Sequence, residues 1–280
     1  MESILTDRLA VLSHPQRMAL FRLLMRRYPD ELSAGQIAEV LKLKASTASV
    51  YLSALTQVGL ISQRRNRTRL LYAVNLDSTR EVFAGLFLDC CRGRADICPP
   101  QFSELLMRIS PITEKKINVL FVCTGNSARS ILAETILRDM MGDKFTAYSA
   151  GTSHRSELNP FSLEMLKSKG HDVSLLRSKN IKEFQRADAM QMDFIFTVCD
   201  NAANEECLTW RGHPLLGHWG VPDPVEINGD NAQMRLAFHQ TYCLLHDLIS
   251  SFTALPFDNL NRVVLQKRVD RIGNEKVIQE

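Results

Sequence analysis

The chain holds no apolar run near the ~18 residues that a membrane-crossing helix needs. Its start, Met1 to Arg8, lacks a basic opening, an apolar stretch and a small-residue cleavage site. The first absence excludes a helical span and the second leaves no visible export signal, so a cytoplasmic protein with no membrane partner is expected. Glycine (13) and proline (10) are too scarce for a fibrous or low-complexity chain, and a hydrophobic content of 45% with 23% charged residues excludes global disorder. Seven cysteines in an unexported chain point to reactive, metal-binding or buried thiols rather than to a disulfide framework. With 280 residues, one large domain or two modest ones can each bury a core.

The small net charge of +3 conceals an asymmetry: residues 1–100 carry 14 Lys and Arg against 9 Asp and Glu, while the remainder carries 20 against 22. A polyanion partner is therefore sought in the first third. There, Leu5, Leu9 and Leu12 recur at helical spacing, Pro15 opens a second helix, and Ser33-Ala34-Gly35-Gln36 has the form of a capping box. A short helix, a turn at Lys42-Leu43-Lys44, and a helix from about Ser46 to Val58 follow, stopped by Gly59. Leu60–Arg64 and Arg69–Val74 read as two strands joined by Arg65-Asn66-Arg67-Thr68. Two helices, a turn and a basic hairpin make a winged helix-turn-helix, an α+β unit. Ser46, Thr47, Ser49 and Tyr51 can approach base edges and phosphates, and Arg64, Arg65, Arg67 and Arg69 can meet phosphate charge at the hairpin tip. Residues 1–98 resemble the ArsR-type repressors, small dimeric winged-helix proteins released from DNA by thiophilic ions. The resemblance implies a homodimer, operator DNA as partner and a metalloid effector.

From Ile117 the texture becomes an alternation of strand and helix: Ile117–Val122, a helix from about Ser130 to Met141, Phe145–Ser149, Pro160–Lys169, Asp193–Val198, and a long helix from Ala232 to Phe252. That pattern predicts an α/β doubly wound domain with a parallel sheet. Between its first strand and helix stands Cys123-Thr124-Gly125-Asn126-Ser127-Ala128-Arg129-Ser130. Five residues between cysteine and arginine let the backbone amides of 124–129 curl around a tetrahedral dianion and stabilise a thiolate at the centre, aided by the positive end of the helix. Arg129 can hold two anion oxygens, Ser130 can donate to the Cys123 sulfur and lower its pKa, and Asn126 braces the loop. The motif resembles the low-molecular-weight tyrosine phosphatase fold, shared by the thiol-dependent arsenate reductases, and leaves two chemistries open: phosphoester hydrolysis and arsenate reduction.

Cys199 and Cys207, after the Asp193–Val198 strand, match the reductase branch, and Asp223 in His218-Trp219-Gly220-Val221-Pro222-Asp223-Pro224 matches the family's general acid. The resemblance implies a cascade in which Cys123 attacks arsenic, Cys199 resolves it, and Cys207 carries the disulfide outward to thioredoxin or a comparable donor. No tightly bound cofactor is expected. If 199–207 were a continuous helix, eight steps would put the two Cα atoms about 12 Å apart against a Cα–Cα limit near 7 Å for a disulfide, so for the pair to oxidise the segment would have to unwind. Leu208 replaces a proline found in many relatives, and Lys179 stands near a carboxylate that other members use to hold potassium. The lysine argues against that ion, and its ammonium is expected to fill the same role.

Cys90, Cys91 and Cys98 can supply the three soft thiolates that trivalent arsenic prefers, whereas a closed zinc site is disfavoured because no histidine lies between His14 and His154. Arsenite is therefore the expected effector, with antimonite chemically close to it. Cys243, between Tyr242 and Leu244-Leu245, reads as core. The expected organisation is a DNA-binding and metalloid-sensing domain at 1–98, a linker at 99–116, a reductase domain at 117–255 and a helical extension at 256–280. A phosphatase tethered to a DNA-binding domain, and a repressor with a non-catalytic sensing half, are the alternatives.

Overall fold

The computed structural model describes residues 2–90, 116–153, 157–186, 188–205, 210, 212, 214–227, 229–257, 260 and 262–275. The chain divides into two units, Met1–Met107 and Arg108–Glu280; the expected linker, 99–116, lies outside the described residues except for Lys116. In the first unit α1 (Glu2–Leu12) and α2 (Pro15–Arg27) precede a two-residue strand, β1 (Leu32–Ser33), then α3 (Ala34–Val40), α4 (Ala45–Gln57), β2 (Ile61–Asn66), β3 (Arg69–Val74) and α5 (Leu76–Ala84). Ser33 closes the capping box of α3: its Oγ accepts from Gln36 N at 3.3 Å, and Gln36 Oε1 accepts from Ser33 N at 2.9 Å. Gly59, at φ 74°, allows the chain to leave α4 in the left-handed region. The three strands form an antiparallel sheet in the order β1-β3-β2 around a core that includes Leu20, Leu23, Leu52, Leu55 and Leu60. β1 is too short to leave a periodic trace in the sequence. Beyond Ala84 the chain continues from α5 as a π-helical turn, Gly85–Cys90.

The second unit contains β4 (Ile117–Cys123), α6 (Arg129–Met141), β5 (Phe145–Gly151), α7 (Pro160–Ser168), a 3-10 turn (Ile181–Phe184), β6 (Phe194–Thr197), α8 (Asp200–Asn204), β7 (Leu215–His218), α9 (Asn231–Thr253) and α10 (Arg262–Glu275). Its four strands are all parallel, in the order β5-β4-β6-β7. Every residue of β4 is buried, as a central parallel strand requires. The chain leaves β4 for β5 on one side and places β6 on the other. The carboxyl end of β4, where Cys123 sits, is thus the topological switch point at which such sheets open a crevice. β7, unanticipated, is four residues long and ends at His218, the first residue of the segment that carries Asp223.

Under the sheet lies an aromatic cluster in which Phe196 stacks on Trp219 at 4.0 Å and Phe252 meets Phe194 edge-on at 5.1 Å. The extension beyond residue 255 belongs to this core: Leu265, Val269 and Ile272 of α10 are buried in it. Gly217 makes that packing possible, because a Cβ there would lie 2.7 Å from the Phe196 ring and 2.8 Å from Val269 Cγ1. Cys243, expected in the core, is exposed. The buried stripe of α9 runs through Phe238, Thr241, Tyr242, Leu245, Leu248, Ile249 and Phe252, and one step beyond Tyr242 turns Cys243 about 100° away from it. Among the described residues no helix is long and apolar enough to cross a membrane.

Asp270 of α10 accepts a hydrogen bond from Gln266 Nε2 at 2.8 Å, and the same amide donates to Leu216 O at 2.7 Å. Burial pushes the Asp270 carboxyl up to about 6, against the pull of that hydrogen bond. Below about pH 4 the group is neutral whether the chain is folded or not; above about pH 6 the fold must hold a charge that the unfolded chain leaves in water, so stability falls across that window. Asp270→Asn keeps an acceptor for Gln266 and removes the charge. Thermal melts should show it stabilised by about 1–2 kcal/mol at pH 8, a figure discounted for solvent screening, and unchanged near pH 4.

Candidate functional site

Cys123 is the last residue of β4 and Arg129 the first of α6, so the intervening loop is forced to turn from strand to helix within five residues. Asn126 makes the turn at φ 46°, in the left-handed region that asparagine tolerates better than most side chains. Its N–H points at Cys123 Sγ, 3.1 Å away. The loop is pinned from β5: Thr152 N donates to Cys123 O at 3.1 Å and Ser153 N to Thr124 O at 3.0 Å. Gly151 permits this approach, since a Cβ would come 2.7 Å from Thr124 O. On the far side Ser127 O accepts from Asn159 N at 3.0 Å and from Ser162 Oγ at 3.1 Å. Ala128, unsupported by any side-chain cap, precedes α6.

The fully buried Asn126 organises the hydrogen bonds behind the loop. Its Nδ2 donates to Ser130 Oγ at 2.9 Å and to Ser149 Oγ at 2.8 Å, and its Oδ1 accepts from Lys179 N at 2.6 Å. Ser149 passes its own proton to Glu134, whose carboxylate is held by Lys179 Nζ at 2.9 Å and 3.1 Å. Each hydroxyl has one proton to give. With Ser130 already accepting from Asn126, its proton is free for Cys123 Sγ, 2.9 Å away. Ser149, Glu134 and the Lys179 ammonium escaped the sequence reading as a network. One trace existed: Glu134 lies four residues after Ser130, on the same face of α6.

Burial raises the Cys123 thiol above its usual range, the hydrogen bond with Ser130 pulls it down, the nearby Cys199 raises it and the Asn126 amide lowers it; the net direction is upward. The Ser130 hydroxyl pulls in the expected direction, but a fully buried sulfur loses more hydration than that hydroxyl and the amides of Ser130 and Asn126 restore.

Arg129 reaches across to the segment after β7, donating from Nη1 to Val221 O at 3.0 Å and pairing through Nη2 with the Asp223 carboxylate. Asp223 Oδ1 also accepts from Val225 N at 3.1 Å. Cys199 caps α8, its Sγ accepting from Ala202 N at 3.4 Å, and lies 3.5 Å from Thr124 Oγ1. Cys123, Arg129, Ser130, Cys199 and Asp223 therefore converge on one loop. The helix expected to continue toward Cys207 stops at Asn204: Glu205 is extended, and its carboxylate accepts from Thr152 Oγ1 at 2.6 Å. The 199–207 segment is thus not one continuous helix, and no such unwinding is required. Cys207 and Leu208 lie outside the described residues, as do Cys91 and Cys98; Cys90 is exposed and free.

In the first unit Ser46 and Ser49 are exposed on α4 and Thr47 is half-buried. Tyr51 turns back toward α2, its hydroxyl donating to Gln16 Oε1 at 2.7 Å and its ring lying 5.0 Å from that of His14. Arg65, Arg67 and Arg69 are exposed around the hairpin turn, where Arg67 has φ 54°. Arg64 is not at the tip. It sits opposite Leu71, three rungs down β2, with its guanidinium paired bidentately to Glu31. Phosphate would have to displace that carboxylate.

A cysteine-to-arginine oxyanion loop at the switch point of a four-stranded parallel sheet, preceded by a helix-turn-helix unit, defines the class. The family profile of the low molecular weight phosphotyrosine protein phosphatases matches residues 118–264, and a helix-turn-helix domain profile matches residues 12–64. The chain belongs to the low molecular weight phosphotyrosine protein phosphatase family, with a helix-turn-helix domain ahead of the family fold. An arsenate reductase of Bacillus subtilis (strain 168) is 35% identical over 127 residues, covering 45% of this chain and 86% of that protein. One from Oceanobacillus iheyensis is 31% identical over 139 residues, covering 49% and 95%. Among solved structures, an arsenate reductase from Archaeoglobus fulgidus DSM 4304 is 25% identical with a TM-score of 0.36, over 47% of this chain and 98% of that one.

Ser130→Ala removes a donor to the sulfur, and a hydrogen bond to a charged group contributes about 1.5 kcal/mol or more. The pH at half-maximal iodoacetamide labelling of Cys123, followed by mass spectrometry, should rise by about one unit.

Proposed function

We propose that the second unit reduces arsenate to arsenite and that the first unit is an arsenite-responsive, DNA-binding repressor. The observation that carries the enzymatic half is Cys199, a second buried thiol hydrogen-bonded to the oxyanion loop through Thr124. Phosphoester hydrolysis needs one thiol; reduction by two electrons needs a second within reach of the first. The names of the relatives agree with this reading.

In the proposed cycle the dianion enters the loop and competes with Asp223 for Arg129. The Cys123 sulfur attacks arsenic and gives up its proton, which Asp223 delivers to the departing hydroxide, so water leaves and a sulfur–arsenic bond forms. The Cys199 thiolate then attacks Cys123 sulfur; the sulfur–arsenic electron pair stays on arsenic, which departs as trivalent arsenite while a Cys123–Cys199 disulfide forms. Cys207 attacks Cys199, regenerating Cys123 and moving the disulfide to a position where thioredoxin or a similar cytoplasmic dithiol reduces it. Cys90, Cys91 and Cys98 bind the trivalent product and release a homodimer from operator DNA.

A coupled assay of arsenate, thioredoxin, thioredoxin reductase and NADPH tests the cycle. Cys199→Ser and Cys207→Ser should each lower turnover by roughly 10³ or more. The reading fails if either variant turns over arsenate normally. The second reading, phosphoester hydrolysis, draws on the complete set of Cys123, Ser130, Arg129 and Asp223; it prevails if p-nitrophenyl phosphate is turned over, unaffected by both variants, while arsenate is not. Because Lys179 already neutralises Glu134, the rate should be the same in potassium and in choline salts. For the first unit, arsenite should release DNA from the wild-type protein and not from Cys90→Ser.

A further inference from the structure

α4 contains no charged residue and no asparagine; from Ala45 to Gln57 its exposed side chains are alanine, serine, valine and a terminal glutamine. Ser46, Ser49, Val50 and Ser53 are all exposed and fall at the i, i+3, i+4 and i+7 positions of one face. Val50, near the middle of that face, is 65% exposed. A β-branched apolar side chain in water at a helix interior contributes nothing to packing and lowers helix propensity, so the fold gives no reason for it.

The helix-turn-helix match and the exposed arginines at 65, 67 and 69 commit this face to one occupant, the major groove of duplex DNA. Guanine is most often read by a bidentate arginine or lysine on O6 and N7, and adenine by a bidentate asparagine or glutamine. Neither group stands at the centre of this face. What stands there is an apolar methyl pair flanked by hydroxyls, and the one apolar group on a base edge in that groove is the thymine C5-methyl.

We infer that Val50 is a specificity-determining residue that seats on a thymine methyl, with Ser46, Ser49 and Ser53 bonding to neighbouring base edges, so that α4 reads A·T pairs. The inference rests on the DNA-binding reading of the first unit. The test begins with selection of the full chain against a randomised duplex library. The recovered half-site should be centred on A·T pairs, and deoxyuridine in place of the central thymidine, which deletes only the methyl, should weaken binding about fivefold, or ~1 kcal/mol. Val50→Ala, at an exposed position, should fold normally, bind more weakly, and lose the distinction between thymidine and deoxyuridine. A guanine-centred half-site, indifference of the wild-type protein to the methyl, or full retention of the distinction by Val50→Ala overturns the inference and leaves DNA binding intact. Failure to enrich any duplex overturns the DNA-binding reading itself.

Discussion

On the proposed reading a sulfur has to ionise inside a protein, and that sets the terms for the second unit. Burial of Cys123 favours the neutral thiol, so any thiolate depends on donors whose direction is settled in advance. Asn126 settles it. Its amide spends both protons on Ser130 and Ser149, which leaves the Ser130 proton with no closer claimant than the sulfur. Ser149 is disposed the same way toward Glu134, and Lys179 supplies the positive charge that Glu134 requires in a dry setting. A buried ion pair is poor evidence for net stability, yet breaking one by removing a partner is expensive. The pair therefore acts as a fixed anchor for the orientation of Asn126, and through it for a hydroxyl on the other side of the loop.

Cys199 meets a different constraint. On the proposed reading it must lie close enough to receive the oxidation of Cys123 and pass it on to the residues that follow. Placement at the start of α8 serves the first need, because the Ala202 amide and the Thr124 hydroxyl both approach its sulfur. The brevity of α8 serves the second. A helix that ends at Asn204, with Glu205 extended toward Thr152, carries no long ladder of backbone bonds to break if the following residues move.

Legibility in the sequence followed the range of the interactions. The oxyanion loop and the capping box at Ser33 are readable because each is written within about ten consecutive residues, and the alternation of strands and helices because each element carries its own local period. The network behind the loop was not, since it joins Asn126 to Ser149 and Lys179 across 23 and 53 positions. Arg64 was misplaced for the same reason: the carboxylate that claims it lies 33 residues earlier. Cys243 failed differently. Its apolar neighbours suggested a core, but helix burial is decided by phase, and one residue off the stripe is a surface position. β1 and β7 were too short to show periodicity.

On the proposed reading, the two halves divide arsenic by oxidation state through opposite chemistry. A loop of amide donors with an arginine matches a tetrahedral dianion, whose oxygens accept hydrogen bonds and carry charge. Reduction removes both properties: trivalent arsenite is neutral and pyramidal at ordinary pH, and its arsenic is a soft centre that seeks thiolates. The loop therefore loses its hold on the product at the moment the product forms. Three clustered cysteines have the reverse preference, offering nothing to a hydrated dianion and three soft ligands to the trivalent centre. A chain carrying both sites distinguishes substrate from product by the chemistry of each, and the signal passed from one half to the other is the diffusing arsenite itself.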